Sequence, residues 1–234
     1  MSSRLEFGKF EAIKNGVKLN YKIQTVTPDL IDGVMDLMVT HFLPREPMSS
    51  YLRIYEIPEN LEKIKAFWRM SMESGASLVA LEDTDDGRIN IVGANTTMVS
   101  EKKDEEQLFQ QMVMDDENDF NKILRALYDV SKRANIYDKY SIDKYLSAFG
   151  LTVHPNYHGY QIGFRLLECR KPLCESLGLS VTGTSFTAQN SQYLAKKVGF
   201  VTLAELDYKT FKINDKLAFP NLEGDIKYMA LKYN

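Results

Sequence analysis

Leu151-Thr152-Val153-His154-Pro155-Asn156-Tyr157-His158-Gly159-Tyr160-Gln161-Ile162-Gly163-Phe164-Arg165-Leu166-Leu167 is the stretch that decides the fold. Tyr145 to Val153 is apolar enough for a central strand, and Pro155, which has no N–H to give a ladder, ends it. The chain then turns through Asn156 to Gly159. The spacing of Ile162, Leu166, Leu167 and Cys169 predicts an amphipathic helix over Gly159 to Leu177. Gly159 and Gly163 remove side chains where a ligand can approach the backbone closely. A helix start offers N–H groups without intrahelical partners and the positive end of the helix dipole, a suitable place for a pyrophosphate. Many strand-turn-helix units bind nothing, so on this physics alone an anion site stays one reading of two.

Outward from that unit, Leu179 to Thr187 reads as a strand, Gln189 to Val198 as a helix, and Phe200 to Leu206 and Ile226 to Leu231 as the last strands. Upstream, Val17 to Val26 alternates like an edge strand. Thr27-Pro28-Asp29 opens a helical pattern that runs out near His41, where Pro44 and Pro47 forbid its continuation. Asn60 is the expected cap of a second helix through Leu61, Ile64, Phe67, Trp68 and Met72. Ser77 to Leu81 and Ile89 to Met98 form a hairpin about Asp85-Asp86-Gly87. A charged surface stretch covers Glu101 to Asp119, including Asp115-Asp116-Glu117, and Phe120 to Ile136 returns to helical spacing. Helices, a hairpin, then β-α-β-α-β predict one mixed α/β domain over residues 1–234.

Composition narrows the function classes. The 234 residues are 44% hydrophobic and 26% charged with a net charge of −3, enough for a sizeable core. There is no basic stripe for nucleic acid, no polybasic segment for a membrane surface and no apolar run of the ~20 residues a span needs. Met1 to Phe10 lacks an apolar h-region, so the expectation is a cytoplasmic, soluble protein without a secretory signal, with a monomer favoured. Cys169 and Cys174 fall in one helical pattern and read as buried thiols, not as a disulfide framework. Three histidines scattered along the chain give no metal spacing, so no metal is expected.

Val153-x-Pro155-x-Tyr157-His158-Gly159-Tyr160-Gln161-Ile162-Gly163 resembles the acetyl-CoA signature of the GNAT N-acetyltransferases, with His158 and Gln161 in place of the usual Arg/Gln and central Gly. Thr187 to Phe200, closing on Gly199-Phe200, resembles the family's next motif. There Ala195 stands where many members place a general-acid Tyr, and Tyr193 lies on another face of the helix. His41-Phe42-Leu43-Pro44-Arg45-Glu46-Pro47-Met48 resembles the Glu-Pro element of the insect-type arylalkylamine N-acetyltransferases. The paired hydroxyls of Thr187 and Ser191 match that subfamily, as does the missing Tyr.

The resemblance implies a GNAT fold with a central, mostly antiparallel, splayed sheet, and acetyl transfer from acetyl-CoA to a small primary amine of the dopamine, serotonin, tyramine or tryptamine class. It implies a cofactor site of Leu151, Thr152, Val153, His158, Gly159, Tyr160, Gln161, Ile162, Gly163 and Asn190. It also implies an amine pocket including Phe42, Met48 and Tyr51. An alkylamine with a pKa near ~10.4 is protonated at neutral pH, so a base is required. Glu46 is the candidate, acting through water; on residue type alone it reads as a surface carboxylate. Thr187 and Ser191 are candidates to relay protons, and on residue type alone read as helix caps. The Val153 amide is placed to donate to the thioester oxygen. The alternatives are acetylation of polyamine-like or protein amines, and a non-catalytic acyl-CoA-binding protein.

Overall fold

The computed structural model describes residues 4–84, 87–104, 109 and 118–233. Among these, the strands are β1 (Glu6–Lys14), β2 (Val17–Thr25), β3 (Leu78–Glu82), β4 (Ile91–Glu101), β5 (Lys144–Val153), β6 (Val181–Phe186), β7 (Val201–Asp207), a small hairpin of β8 (Lys212–Ile213) and β9 (Lys216–Leu217), and β10 (Asp225–Lys232). All but the hairpin join one sheet in the order β1-β2-β3-β4-β5-β6-β10-β7. Neighbours run antiparallel except β5 and β6, which are parallel and share a single register pair, Leu146 with Thr182.

Beyond that pair the two strands part. The hydroxyls of Thr182 and Thr184 donate to the carbonyls of Leu146 (2.8 Å) and Ala148 (2.6 Å), bridging the start of the gap with side chains where ladder bonds cease. β5 is also bulged. Asn95 opposes Leu151 and Thr97 opposes Ala148, so Phe149 and Gly150 together face Thr96. A glycine is required at 150, because a Cβ there would run into the Met38 side chain and φ is +154°.

One face of the sheet is covered by α1 (Ile31–Leu37), α2 (Pro47–Tyr51), α3 (Pro58–Glu73), α4 (Asp119–Ala134) and α5 (Ile136–Tyr140), through a core that includes Val34, Met48, Trp68, Ala126 and Ile136. The other face carries α6 (Ile162–Glu168) and α7 (Arg170–Ser176) over Ile23, Leu78 and Leu146. The last helix, α8 (Gln189–Val198), packs Ala195 against Phe186, Phe200 and Met229. Among the described residues no helix is long and apolar enough to cross a membrane.

Several sequence expectations are corrected. Val17–Thr25 is not the edge, since Glu6–Lys14 pairs along its outer side; the charges of that strand hid it from periodicity. α3 begins at Pro58 with Ile57 at the N-cap, and Asn60 lies buried inside its first turn. The single helix expected from Gly159 to Leu177 starts at Ile162 and breaks at Cys169. Pro172 accounts for the break, because it cannot donate to Glu168 and its ring crowds that carbonyl. Asn118, not Phe120, marks the start of α4, its side chain accepting the Phe120 N–H at 2.8 Å. Asp85-Asp86 of the expected turn and the Asp115-Asp116-Glu117 cluster lie outside the described residues.

Candidate active site

The parting of β5 and β6 opens a cavity of about 1070 Å³ lined from both faces of the sheet. On the α6–α8 face its wall is the turn after β5, Ile162, Gly163, Asn190 and Leu194; on the opposite face it is Phe42, Phe67, Trp68, Phe120 and Leu124. Trp68 Nε1 donates to the Phe149 carbonyl at 2.9 Å and so ties α3 to the bulge between the two halves.

The turn after β5 is fixed at both ends. The Tyr157 hydroxyl donates to Glu82 at 2.8 Å, and Asn90 Nδ2 donates to Tyr157 Oη and to Glu82, clamping the turn to the β3–β4 hairpin. Lys14 Nζ donates to the His158 carbonyl at 2.7 Å, and His158 Nε2 lies 3.0 Å from the Val153 carbonyl. Arg165 makes the first backbone bond into α6, to the Gln161 carbonyl, so the amides of Ile162, Gly163 and Phe164 sit ahead of the ladder. Gln161 has φ +61°, in the left-handed region that favours glycine. Its backbone therefore adopts the conformation that explains why the signature has a glycine there. Because His154 donates to Val92 across β4, strand alternation turns the N–H groups of Val153 and Leu151 the other way, into the gap.

Glu46 is not the surface carboxylate its residue type suggests: it is 7% exposed. It caps α2, with Oε1 accepting Met48 N–H (3.2 Å) and Oε2 accepting Ser49 N–H (2.7 Å) and the Ser49 hydroxyl (2.6 Å). An ionised carboxylate has about four lone-pair sites, so one on Oε1 is left for a further donor, and Glu46 lines the cavity.

Thr187 and Ser191 line the same cavity. Neither caps α8: Ala188 is the N-cap, and the Ser191 hydroxyl donates to the Ala188 carbonyl at 2.7 Å. The Tyr208 hydroxyl donates to the Thr187 carbonyl at 2.9 Å. Burial, then the nearby Glu46 carboxylate, then Asp225 hold that hydroxyl well above the ordinary tyrosine range, so Tyr208 stays a neutral donor that links Thr187 to the Glu46 neighbourhood. Gln192 Nε2 donates to the Phe186 carbonyl (3.1 Å) and to Asp225 (2.8 Å), fixing the strand end before Thr187.

The cavity thus brings together Glu46, Thr187 and Ser191 with Phe42, Leu151, Thr152, Val153, His158, Gly159, Gln161, Ile162, Gly163 and Asn190. Tyr160, Met48 and Tyr51 lie outside its lining. Tyr160 packs into the core under α6 with its carbonyl accepting the Tyr21 hydroxyl at 3.2 Å. α2 turns Met48 fully into the helical core and sets Tyr51 against Phe219. Burial pushes the thiols of Cys169 and Cys174 up to about 12, which removes them as nucleophiles. His41, far in sequence from His154 and His158, comes close to them: the His41 and His154 rings are 4.7 Å apart, and burial, His154, Arg45 and His158 together hold His41 below its ordinary range.

The architecture of the whole chain is shared by solved structures. A putative arylalkylamine N-acetyltransferase from the yellow fever mosquito Aedes aegypti is 28% identical, with a TM-score of 0.86 over 99% of this chain and 96% of that one. The chain has the GNAT fold, a mixed α/β fold on a mostly antiparallel sheet. A second arylalkylamine N-acetyltransferase from Aedes aegypti shares the fold at 20% identity, with a TM-score of 0.80 over 92% of this chain and 99% of that one. So does a Drosophila melanogaster polyamine N-acetyltransferase, at 19% identity and a TM-score of 0.75 over 91% and 99%. No protein-family model matches the chain. Within the GNAT fold, Ala195 is fully buried and Tyr193 is 66% exposed on the outer side of α8, away from the gap.

Sequence reasoning missed Tyr208, Gln192, Trp68, Asn95 and Arg170. Apart from Trp68, the single tryptophan, each is one of several residues of its type, and only the topology brings them to the gap or to the residues that flank it.

Proposed function

We propose that this protein transfers the acetyl group of acetyl-CoA to the primary amine of an arylalkylamine of the dopamine, serotonin, tyramine or tryptamine class, by direct attack in a ternary complex. The observation that carries the reading is the single cavity that joins a backbone anion cradle on one face of the sheet to a capped, buried carboxylate among aromatic walls on the other. The cradle fits CoA in kind. Three amides stand ahead of the α6 ladder, and at Gly163 an added Cβ would press on Leu194 at 3.3 Å. The gap edge presents the inward N–H groups of Leu151 and Val153 to amide and thioester carbonyls.

In this reading the amine nitrogen attacks the acetyl carbonyl, a C–N bond forms and the C–S bond breaks. Glu46 takes the amine proton through water with its remaining Oε1 site, the Val153 N–H steadies the carbonyl oxygen, and the departing sulfur gains a proton relayed by Thr187 and Ser191. Tyr208 acts as a positioning residue by holding the Thr187 backbone. The aromatic rings of Phe42, Phe67, Trp68 and Phe149 favour an aromatic acceptor over a linear polyamine, and offer faces to an ammonium before it loses its proton.

Thiol release from acetyl-CoA across tryptamine, tyramine, dopamine, serotonin, agmatine, spermidine and short peptides tests the reading. Arylalkylamines are expected to give the highest kcat/KM. Highest turnover on spermidine or agmatine moves the assignment to polyamines, and binding of acetyl-CoA with no turnover on any amine makes this an acyl-CoA-binding protein.

A further inference from the structure

Arg170, at the start of α7, is 1% exposed, and the ionisable groups beside it among the described residues are Tyr233 and Cys174, not a carboxylate. A buried guanidinium is costly unless its donors and its charge are met. Of its five N–H groups, Nε–H is matched, donating to Asn95 Oδ1 at 2.8 Å, while Nη1 has no partner. The flat of the group lies 5.7 Å from the Phe200 ring. Burial lowers its pKa to about 10, still far above neutrality, so the charge persists. Arg170 belongs to the cavity wall where β5 and β6 part. Asn95 in turn donates Nδ2–H to the Gly150 carbonyl at 2.7 Å, so the guanidinium is braced against the bulge from below.

We propose that Arg170 is a binding residue for the acyl donor, its unmatched N–H groups donating to an amide carbonyl of the pantetheine arm as that arm crosses the gap. The inference rests on the proposed use of acetyl-CoA. A neutral carbonyl suits the place better than an anion. The phosphates have their own cradle at the turn before α6, and a thread passing between two strand edges presents amide oxygens at this depth. The guanidinium then gains a partner only in the complex, which makes the unmatched donors of the free protein a binding determinant.

The test compares Arg170→Met, which fills similar volume without leaving a buried charge, with wild type in binding CoA, pantetheine and adenosine bisphosphate by calorimetry. The expected result is about ten- to hundredfold weaker binding of CoA and of pantetheine, with adenosine bisphosphate unchanged and kcat at saturating donor nearly kept. Unchanged CoA binding, or an equal loss for both fragments, overturns the proposal, as does a loss confined to kcat, which would assign Arg170 to bracing the bulge through Asn95. If Arg170→Met does not fold, the side-chain resonances of Arg170 in nitrogen-labelled wild type decide. They must shift with pantetheine and stay with adenosine bisphosphate, and the reverse overturns the proposal. Wild type that binds no CoA at all sinks the acetyltransferase reading itself, whereas normal wild-type binding with an indifferent variant sinks only this inference.

Discussion

Replacing Glu46 by Gln separates its two roles, because both are visible in the geometry. Three donors converge on the carboxylate: the N–H of Met48, the N–H of Ser49 and the Ser49 hydroxyl. A carboxamide has one oxygen. If that oxygen stays on Ser49, the NH2 group is set against the Met48 N–H, donor against donor. Losing one cap bond and leaving that amide unmet costs about 1–2 kcal/mol. For a chain of this size that lowers Tm by about 2–8 °C. Catalysis is expected to fall further. Removing a general base costs about 10²–10⁴ in kcat/KM, well beyond what a small loss of stability causes in a protein that is still folded. The assay is thiol release with tryptamine at saturating acetyl-CoA, well below the variant's Tm, beside a thermal melt and a calorimetric titration with acetyl-CoA. The variant is expected to bind acetyl-CoA as wild type does, because Glu46 lies across the sheet from the cradle. A kcat/KM within about threefold of wild type, with Tm lowered as stated, would show that Glu46 caps α2 and does no more.

Three further outcomes follow from the structure. Gln161→Gly releases a left-handed residue at φ +61° at the price of unfolded-chain freedom, so stability should change by between zero and about +1 kcal/mol, with tighter acetyl-CoA binding; a urea midpoint that falls clearly would mean the Gln161 side chain is itself held. Ellman's reagent at mildly alkaline pH should leave Cys169 and Cys174 untouched in the native protein and modify both after denaturation, since burial pushes each thiol up to about 12; rapid native labelling of either contradicts that. His41 is held below its ordinary range by burial, His154, Arg45 and His158, so the unfolded chain takes up its proton more readily. Its contribution is therefore complete above about pH 6.5 and is lost as the pH falls through the lowered value. His41→Gln should lose less stability than wild type between neutral pH and about pH 5.5 in urea titrations, and identical slopes would remove His41 from that dependence.

The parts of this protein that were legible in its sequence are those where one local rule acts. The strand ending at Pro155, the turn through Gly159 and α8 closing on Gly199 follow from a missing N–H and from glycine at positive φ, and α8 runs over the residues expected. β1 was not legible because an edge strand half in solvent carries charges, and its pairing with β2 is a tertiary fact. The break at Cys169 was legible in principle, since Pro172 forbids a continuous helix, but the apolar periodicity on either side masked it. At the site, Glu46 stood out only through its resemblance to a Glu-Pro element. That it is buried and capped depends on the π-turn over Met38–Phe42, which hands the chain to α2. Met48 was expected in the pocket and lies in the core, because in a helix of five residues neighbouring side chains diverge by about a quarter turn or more. Tyr208 and Arg170 gave no sequence signal at all. One is brought to Thr187 by β7, the other to Asn95 by the packing of α7, and both are long-range facts.

The central claim is that one cavity carries acetyl from a thioester to an amine. Mixing the protein in excess over acetyl-CoA with tryptamine, and following both products by mass spectrometry over one turnover, tests it most directly. The account predicts N-acetyltryptamine and free CoA appearing together in equal amounts, with no acetyl group on the protein at any time. Free CoA without the acetylated amine, or acetyl groups accumulating on a side chain before the product forms, would contradict it.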